Sequence, residues 1–141
     1  MNSCNFIGRL VNDVRTRRDK VGDDILVTSY FNLAVERTFS QSKQKYDVLP
    51  MKAVGGVAET CEKWLCKGKK IAISARAEHL KYQKGSKWYE HTIFRVLQIY
   101  FIDVKGDQEA NTVSDEIRQI ELDVSGLEET EYQGVDFSAL D

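Results

Sequence analysis

The sequence predicts an all-β fold: a five-stranded Greek-key barrel with one α-helix between its third and fourth strands, followed by a flexible acidic tail. Three observations carry this expectation. Apolar residues recur with period two along most of residues 1–106, as they do in strands that bury one face. One segment, Gly56–Lys67, switches to a helical period. Charge divides the chain: residues 1–106 hold 19 Lys/Arg against 11 Asp/Glu, a net of +8, while residues 107–141 hold Arg118 against 11 acids, a net of −10.

The first strand places Cys4, Phe6, Gly8 and Leu10 on one face. The second does the same with Val27, Phe31, Leu33 and Val35, with Ser29 out of pattern. Tyr46–Val54 forms the third, and Pro50, which has no N–H to donate, assigns it to an edge or a bulge. In Gly56–Lys67, Val57, Cys61 and Leu65 recur every four residues, the stripe of an amphipathic helix, and Gly68 is suited to the left-handed conformation that ends one. Trp64 falls beside Cys61 and Leu65 on the helical wheel, so core packing is expected of it. Ile71, Ile73, Ala75 and Ala77 mark a fourth strand continuing to Tyr82, and Trp88–Val104 makes a long fifth. Phe6, Phe31, Phe94 and Phe101 follow the apolar alternation and are expected in the core; Tyr30, opposite in phase to Phe31, is open to either a core or a surface role.

The tail from Asp107 to Asp141 has no sustained amphipathic period beyond a brief alternation at Ile120, Leu122 and Val124. Low hydrophobicity with high negative charge is the composition of a segment that cannot bury enough apolar surface to offset its ordering entropy. It is either a solvating tail or a partner-recruiting peptide anchored by Phe137 and Leu140 among Asp136 and Asp141. The expected organisation is thus a folded domain over 1–106 and a tail over 107–141.

Several function classes are excluded. No apolar run approaches the roughly 20 residues that cross a bilayer, and the N-terminus lacks the layout of a secretion signal, so a cytoplasmic location and no membrane partner are expected. The three cysteines, Cys4, Cys61 and Cys66, form no C-x-x-C pair and lie far along the chain from His79 and His91, so neither a disulfide framework nor zinc is expected. There is no G-x-x-x-x-G-K-[ST], G-x-S-x-G or H-E-x-x-H, and we expect neither an enzyme nor a cofactor.

Five strands with a helix between the third and fourth fit the oligonucleotide-binding type of barrel, whose groove and loops hold single strands. The three connections that bear on this are basic: Asn12–Asp24 carries Arg15, Arg17, Arg18 and Lys20; Phe39–Lys45 carries Lys43 and Lys45; Gln83–Lys87 lies between Lys81 and Trp88 and carries Lys84 and Lys87. Aromatic residues sit beside these cations: Phe39, Tyr46, Tyr82, Trp88 and Tyr89. Lysine and arginine bind phosphates with release of counterions, and aromatic rings stack on bases of any sequence. The stacking candidates are therefore those five rings. The phosphate candidates are Arg9, Arg15, Arg17, Arg18, Lys43, Lys45, Arg76, Lys81, Lys84 and Lys87. The plainer alternative for the Lys81–Tyr89 hairpin is that its rings merely pair across strands.

The order of these motifs over about 100 residues resembles a known family. Asn2-Ser3-Cys4-Asn5-Phe6-Ile7-Gly8-Arg9-Leu10, Phe31-Asn32-Leu33-Ala34-Val35-Glu36-Arg37, Asp47-Val48-Leu49-Pro50, Gly55-Gly56-Val57-Ala58-Glu59, Trp64-Leu65-Cys66-Lys67-Gly68-Lys69-Lys70-Ile71 and Ala75-Arg76 are similar to segments of bacterial and phage single-stranded DNA-binding proteins of the SSB type. The resemblance implies a homotetramer that wraps single-stranded DNA without strong sequence preference in replication, recombination and repair, and no residue pattern here distinguishes a tetramer from a dimer. It places stacking near Phe39 and on Tyr82. Where the family has aromatics in the third strand this chain has Val48 and Val54, which leaves Tyr46 or Trp88 to take over part of the stacking, or affinity lower. The family's C-terminal tip, closing in proline and phenylalanine, docks into replication and recombination proteins; here the end reads Gly134-Val135-Asp136-Phe137-Ser138-Ala139-Leu140-Asp141. The alternative is a barrel serving as an interaction scaffold in a primosome-like complex, with incidental DNA binding.

Overall fold

Strands whose apolar faces alternate must bury them against one another, and in the computed structural model they do so by closing into a ring. The structure describes residues 1–39, 41–102, 118 and 120. Its elements are β1 (Cys4–Leu10), β2 (Arg15–Val21), β3 (Asp24–Glu36), β4 (Tyr46–Val54), α1 (Gly56–Trp64), β5 (Lys70–Lys84) and β6 (Lys87–Phe101). The sheet order is β1-β5-β6-β4-β3-β2, and β1 also pairs with β3, so five strands make a closed circuit and β2 lies on the outer edge of β3. β4 and β6 join in parallel at Met51↔Phe94 and Lys52↔Arg95, while the other pairings are antiparallel. Pro50 sits just before that short parallel contact, where β4 needs no donor toward β6.

Closure depends on β1 serving two neighbours. Cys4–Arg9 pairs with β5, and Gly8–Leu10 also pairs with β3. At the crossing the two backbones approach so closely that a Cβ on Gly8 would collide with the Ala34 carbonyl, lying 3.0 Å from its carbon. The missing side chain is what admits the seam.

The core inside the ring is built from Leu10, Val27, Phe31, Leu33, Met51, Ala53, Ile71, Ile73, Ala75 and Val96, with Ala58, Cys61 and Leu65 of the helical segment capping it. Phe6 and Phe94 meet edge to face at 5.0 Å. Burial pushes the Cys61 thiol up to about 12. Ser29, out of pattern in the sequence, is buried: its hydroxyl donates to the Ala58 carbonyl at 2.8 Å and lies 3.0 Å from the Thr16 hydroxyl, joining β3 to the helix and to β2. A buried hydroxyl needs such partners.

The structure corrects several expectations. Asn12–Asp24 is not a plain loop: Arg15–Val21 pairs along its whole length with β3 as a sixth strand. The helix ends at Trp64, with Leu65 already extended, and Trp64 is 54% exposed because Val57, Ala58, Cys61 and Leu65 suffice to cover the core. Phe101, expected inside, is 42% exposed under the Lys69 ammonium, 5.2 Å from its ring centre. β5 and β6 extend to Lys84 and Lys87, narrowing the hairpin loop to Gly85-Ser86, where Gly85 takes a φ of 66°. Residues 103–117 and the tail candidates Asp136, Phe137, Leu140 and Asp141 lie outside the described residues. No helix among the described residues is long and apolar enough to cross a membrane.

Candidate nucleic-acid interface

Residues that alternate with core positions point away from the core, and partners in register share a face. On β4 the outward residues are Tyr46, Val48, Pro50, Lys52 and Val54, a stripe about 27 Å long at ~3.3 Å per residue. In register across the sheet, Arg15 on β2 faces Tyr30 on β3, Tyr30 faces Lys52, Lys52 faces Arg95 on β6, and Arg95 faces Arg76 on β5. The result is a transverse row of cations interrupted by one tyrosine. Glu78 accepts from Arg76 at 2.9 Å and lies 3.7 Å from Arg95, removing part of their charge. Arg15 and Lys52 make no ion pair among the described residues.

Tyr30 is 5% exposed and joins Ile93 in a second small core on this outward side, against which Leu80 and Tyr82 pack. This settles its open assignment: it is buried, but under the β5–β6 hairpin and not inside the ring. Tyr82 faces Tyr89 in register, and their rings stack at 5.4 Å with 18° between planes. His91, next on the same face, lies 5.7 Å from the Tyr82 ring; its Nε2 is buried without a hydrogen-bond partner among the described residues, and desolvation holds its pKa below the ordinary histidine value. Lys84 and Lys87 face each other across the turn on this side.

Trp88 is separated from the two tyrosines. It pairs with Gln83 and so projects from the opposite face of the hairpin, 61% exposed, with the Lys81 ammonium 5.5 Å from its ring centre. Lys81 is also drawn to Glu90 at 3.3 Å. The five stacking candidates therefore do not form one platform.

At the other end of the β4 stripe, Tyr46 lines a pocket of about 250 Å³ together with Ile7, Arg9, Ala34, Glu36, Thr38 and Lys70. Phe39 follows Thr38 directly, 96% exposed and at a φ of 61°. Few bulky side chains tolerate positive φ, and a ring wholly in water gains nothing from packing.

The phosphate candidates divide by their partners. Arg9 is 5% exposed and donates to the Gly68 carbonyl at 3.1 Å, so it braces the fold from within. Arg18 grips Glu62 in a two-point fork, Nη1 to Oε1 at 3.2 Å. That hydrogen bond is the main reason Glu62 titrates below, and Arg18 above, their ordinary values. Arg17 bonds to Asp19 at 2.8 Å. Lys43 and Lys45 lie exposed in the segment between Phe39 and Tyr46. Lys52, Lys70 and Arg95, which the sequence reading missed, belong to the outward face; the available signal was their alternation with Met51, Ile71 and Phe94.

The single-strand binding protein family matches residues 1–101. The chain belongs to that family, whose members are non-enzymatic DNA-binding proteins. Among solved structures, a deletion mutant of the single-stranded DNA binding protein from Thermus aquaticus shares the fold, with a TM-score of 0.57 and 17% sequence identity over 77% of this chain. The match spans only 44% of the Thermus chain. No curated protein matches the sequence.

Proposed function

We propose that the protein coats single-stranded DNA without sequence preference, in support of replication, recombination and repair. The observation that carries this reading is the outward face itself: one stripe with Phe39 and Tyr46 at one end, the Tyr82–Tyr89 stack at the other, and the Arg15–Lys52–Arg95–Arg76 row between. An unpaired strand offers base faces and flexible phosphates together, and these two kinds of side chain meet one each. Phe39, Tyr46, Tyr82 and Tyr89 stack bases; Arg15, Lys43, Lys45, Lys52, Arg76, Lys84 and Lys87 hold phosphates. The test is fluorescence anisotropy of labelled oligo-dT challenged with unlabelled competitors. Single strands of any sequence should displace it, and duplex of equal length should not; equal competition by duplex would refute the reading.

The protein acts as a homo-oligomer, a tetramer in this reading. Ile7, Ala72 and Tyr100 are in register on β1, β5 and β6, and the rings and methyls of Ile7 and Tyr100 are exposed. An exposed apolar row on a sheet is suited to face a second copy. Light-scattering mass tests this: a monomeric mass at micromolar concentration would overturn it. The acidic tail recruits replication or recombination partners, and the protein works in the cytoplasm at the nucleoid; loss of partner capture on removal of 107–141, with DNA binding retained, tests the first of these.

A further inference from the structure

We infer a second single-strand contact at the end of the molecule remote from the hairpin, built on Trp64 and Phe101. It rests on the reading above and extends it. The stretch from Lys63 to Lys70 supplies four lysines, Lys63, Lys67, Lys69 and Lys70. Two of them lie over exposed rings: the Lys63 ammonium is 5.0 Å from the Trp64 ring centre, and the Lys69 ammonium 5.2 Å from that of Phe101. Neither ring is held in the core. A large ring kept half in water beside an ammonium presents a base-stacking surface and a phosphate partner at one point.

Four lysines outweigh the carboxylate of Asp13, which accepts from the Lys67 backbone N–H at 2.9 Å. The helix acids nearest Trp64 are engaged elsewhere: Glu62 is held in the Arg18 fork, and Glu59 lies in the field of the same arginine. The site is also continuous with the first face. Lys70 lines the Tyr46 pocket and is the chain neighbour of Lys69, whose ammonium covers the Phe101 ring at the end of β6. A strand leaving the pocket past Lys70 meets Lys69 and Phe101 next, and the same stretch of chain leads back from Lys69 to Trp64 and Lys63. From Lys70 to Lys84 β5 runs for 15 residues, so this contact lies up to about 50 Å along the strand from the hairpin turn. Only a long strand can engage both.

The two tryptophans, Trp64 and Trp88, make the proposal directly testable. In a Trp88→Phe variant the remaining emission reports Trp64 alone. Saturation is followed independently by anisotropy of labelled poly-dT. The expected result is that poly-dT quenches Trp64 emission and shields it from acrylamide. Oligo-dT at the short end of the roughly 4–16 nucleotides an OB fold covers should leave it unchanged. Trp64→Ala, at an exposed position that the core does not need, should weaken poly-dT binding about 5-fold or more and leave the short oligomer's affinity at the wild-type value. Unchanged Trp64 emission and acrylamide access at full poly-dT saturation would overturn the inference and leave the first face standing. Absence of any anisotropy rise would instead overturn the reading beneath it.

Discussion

Replacing Tyr82 by alanine separates the two kinds of contact the outward face is proposed to make. Within the protein Tyr82 stacks on Tyr89 at 5.4 Å and packs beside His91 on the Tyr30–Ile93 cluster, and in the proposed complex a base is laid on the pair. The cross-strand stack is worth about 0.5–1.5 kcal/mol beyond area burial, which at about 4–8 °C per kcal/mol lowers the melting temperature of a domain this size by roughly 2–12 °C. Losing the base costs about 1–3 kcal/mol, a weakening of roughly 5- to 150-fold in Kd. Stacking involves no counterion release, so the slope of log K against log salt should stay at the wild-type value. Tyr82→Phe keeps the ring and should bind as wild type. The assay is oligo-dT anisotropy at several salt concentrations for wild type, Tyr82→Ala, Tyr82→Phe and Tyr89→Ala, with thermal melts on the same samples. If Tyr82→Ala bound oligo-dT within twofold of wild type, or changed the salt slope as a lost cation would, the assignment of Tyr82 to base stacking would be wrong.

Three further outcomes follow from the geometry. Lys52→Ala should reduce the magnitude of the salt slope by about 0.7 per phosphate released, whereas Arg18→Ala should leave it unchanged because Arg18 is committed to Glu62; equal changes in the two variants would show that the ion pair opens to DNA. Gly8→Ala should destabilise the ring by about 1–3 kcal/mol, the usual cost of overpacking, since its Cβ collides with backbone at the β1–β3 seam; an unchanged urea midpoint would contradict that. His91 is held below the ordinary histidine value of 6.5 by burial, so the unfolded chain takes up its proton more readily. Its contribution to stability is complete above that value and is lost as pH falls through the folded pKa. Wild type should lose more stability than His91→Gln between about pH 8 and pH 5, and parallel losses would refute the assignment.

The closed ring was legible because its inward residues are apolar and alternate, from Cys4 to Leu10 and from Ile71 to Ala77. β2 was not, because Arg15-Thr16-Arg17-Arg18-Asp19-Lys20 is polar on both faces: it packs one side on Ser29 and the helix acids and leaves the other to solvent. No hydrophobic period can report such a strand. Trp64 neighbours Cys61 and Leu65 on a helical wheel, but it is the last residue of the helix, and Val57, Ala58, Cys61 and Leu65 already cover the core without it. Which face each hairpin ring takes depends on turn length, which the sequence leaves open; with Gly85-Ser86 as the two-residue turn, Tyr82 must oppose Tyr89 and Trp88 must oppose Gln83. Cross-strand pairing, weighed from sequence as the plainer reading of that hairpin, is what Tyr82 and Tyr89 do, and their shared stack still presents ring surface on the cationic side. Lys52 and Arg95 were hidden in strands read only for their buried halves.

The measurement that bears most directly on single-strand coating is a photochemical cross-link map of the full chain bound to oligo-dT, read by peptide mass. Adducts are expected on the peptides carrying Phe39 and Tyr46 and on those carrying Tyr82 and Tyr89. Adducts confined to other peptides, with those carrying Phe39, Tyr46, Tyr82 and Tyr89 all unmarked, would contradict single-strand coating by this face.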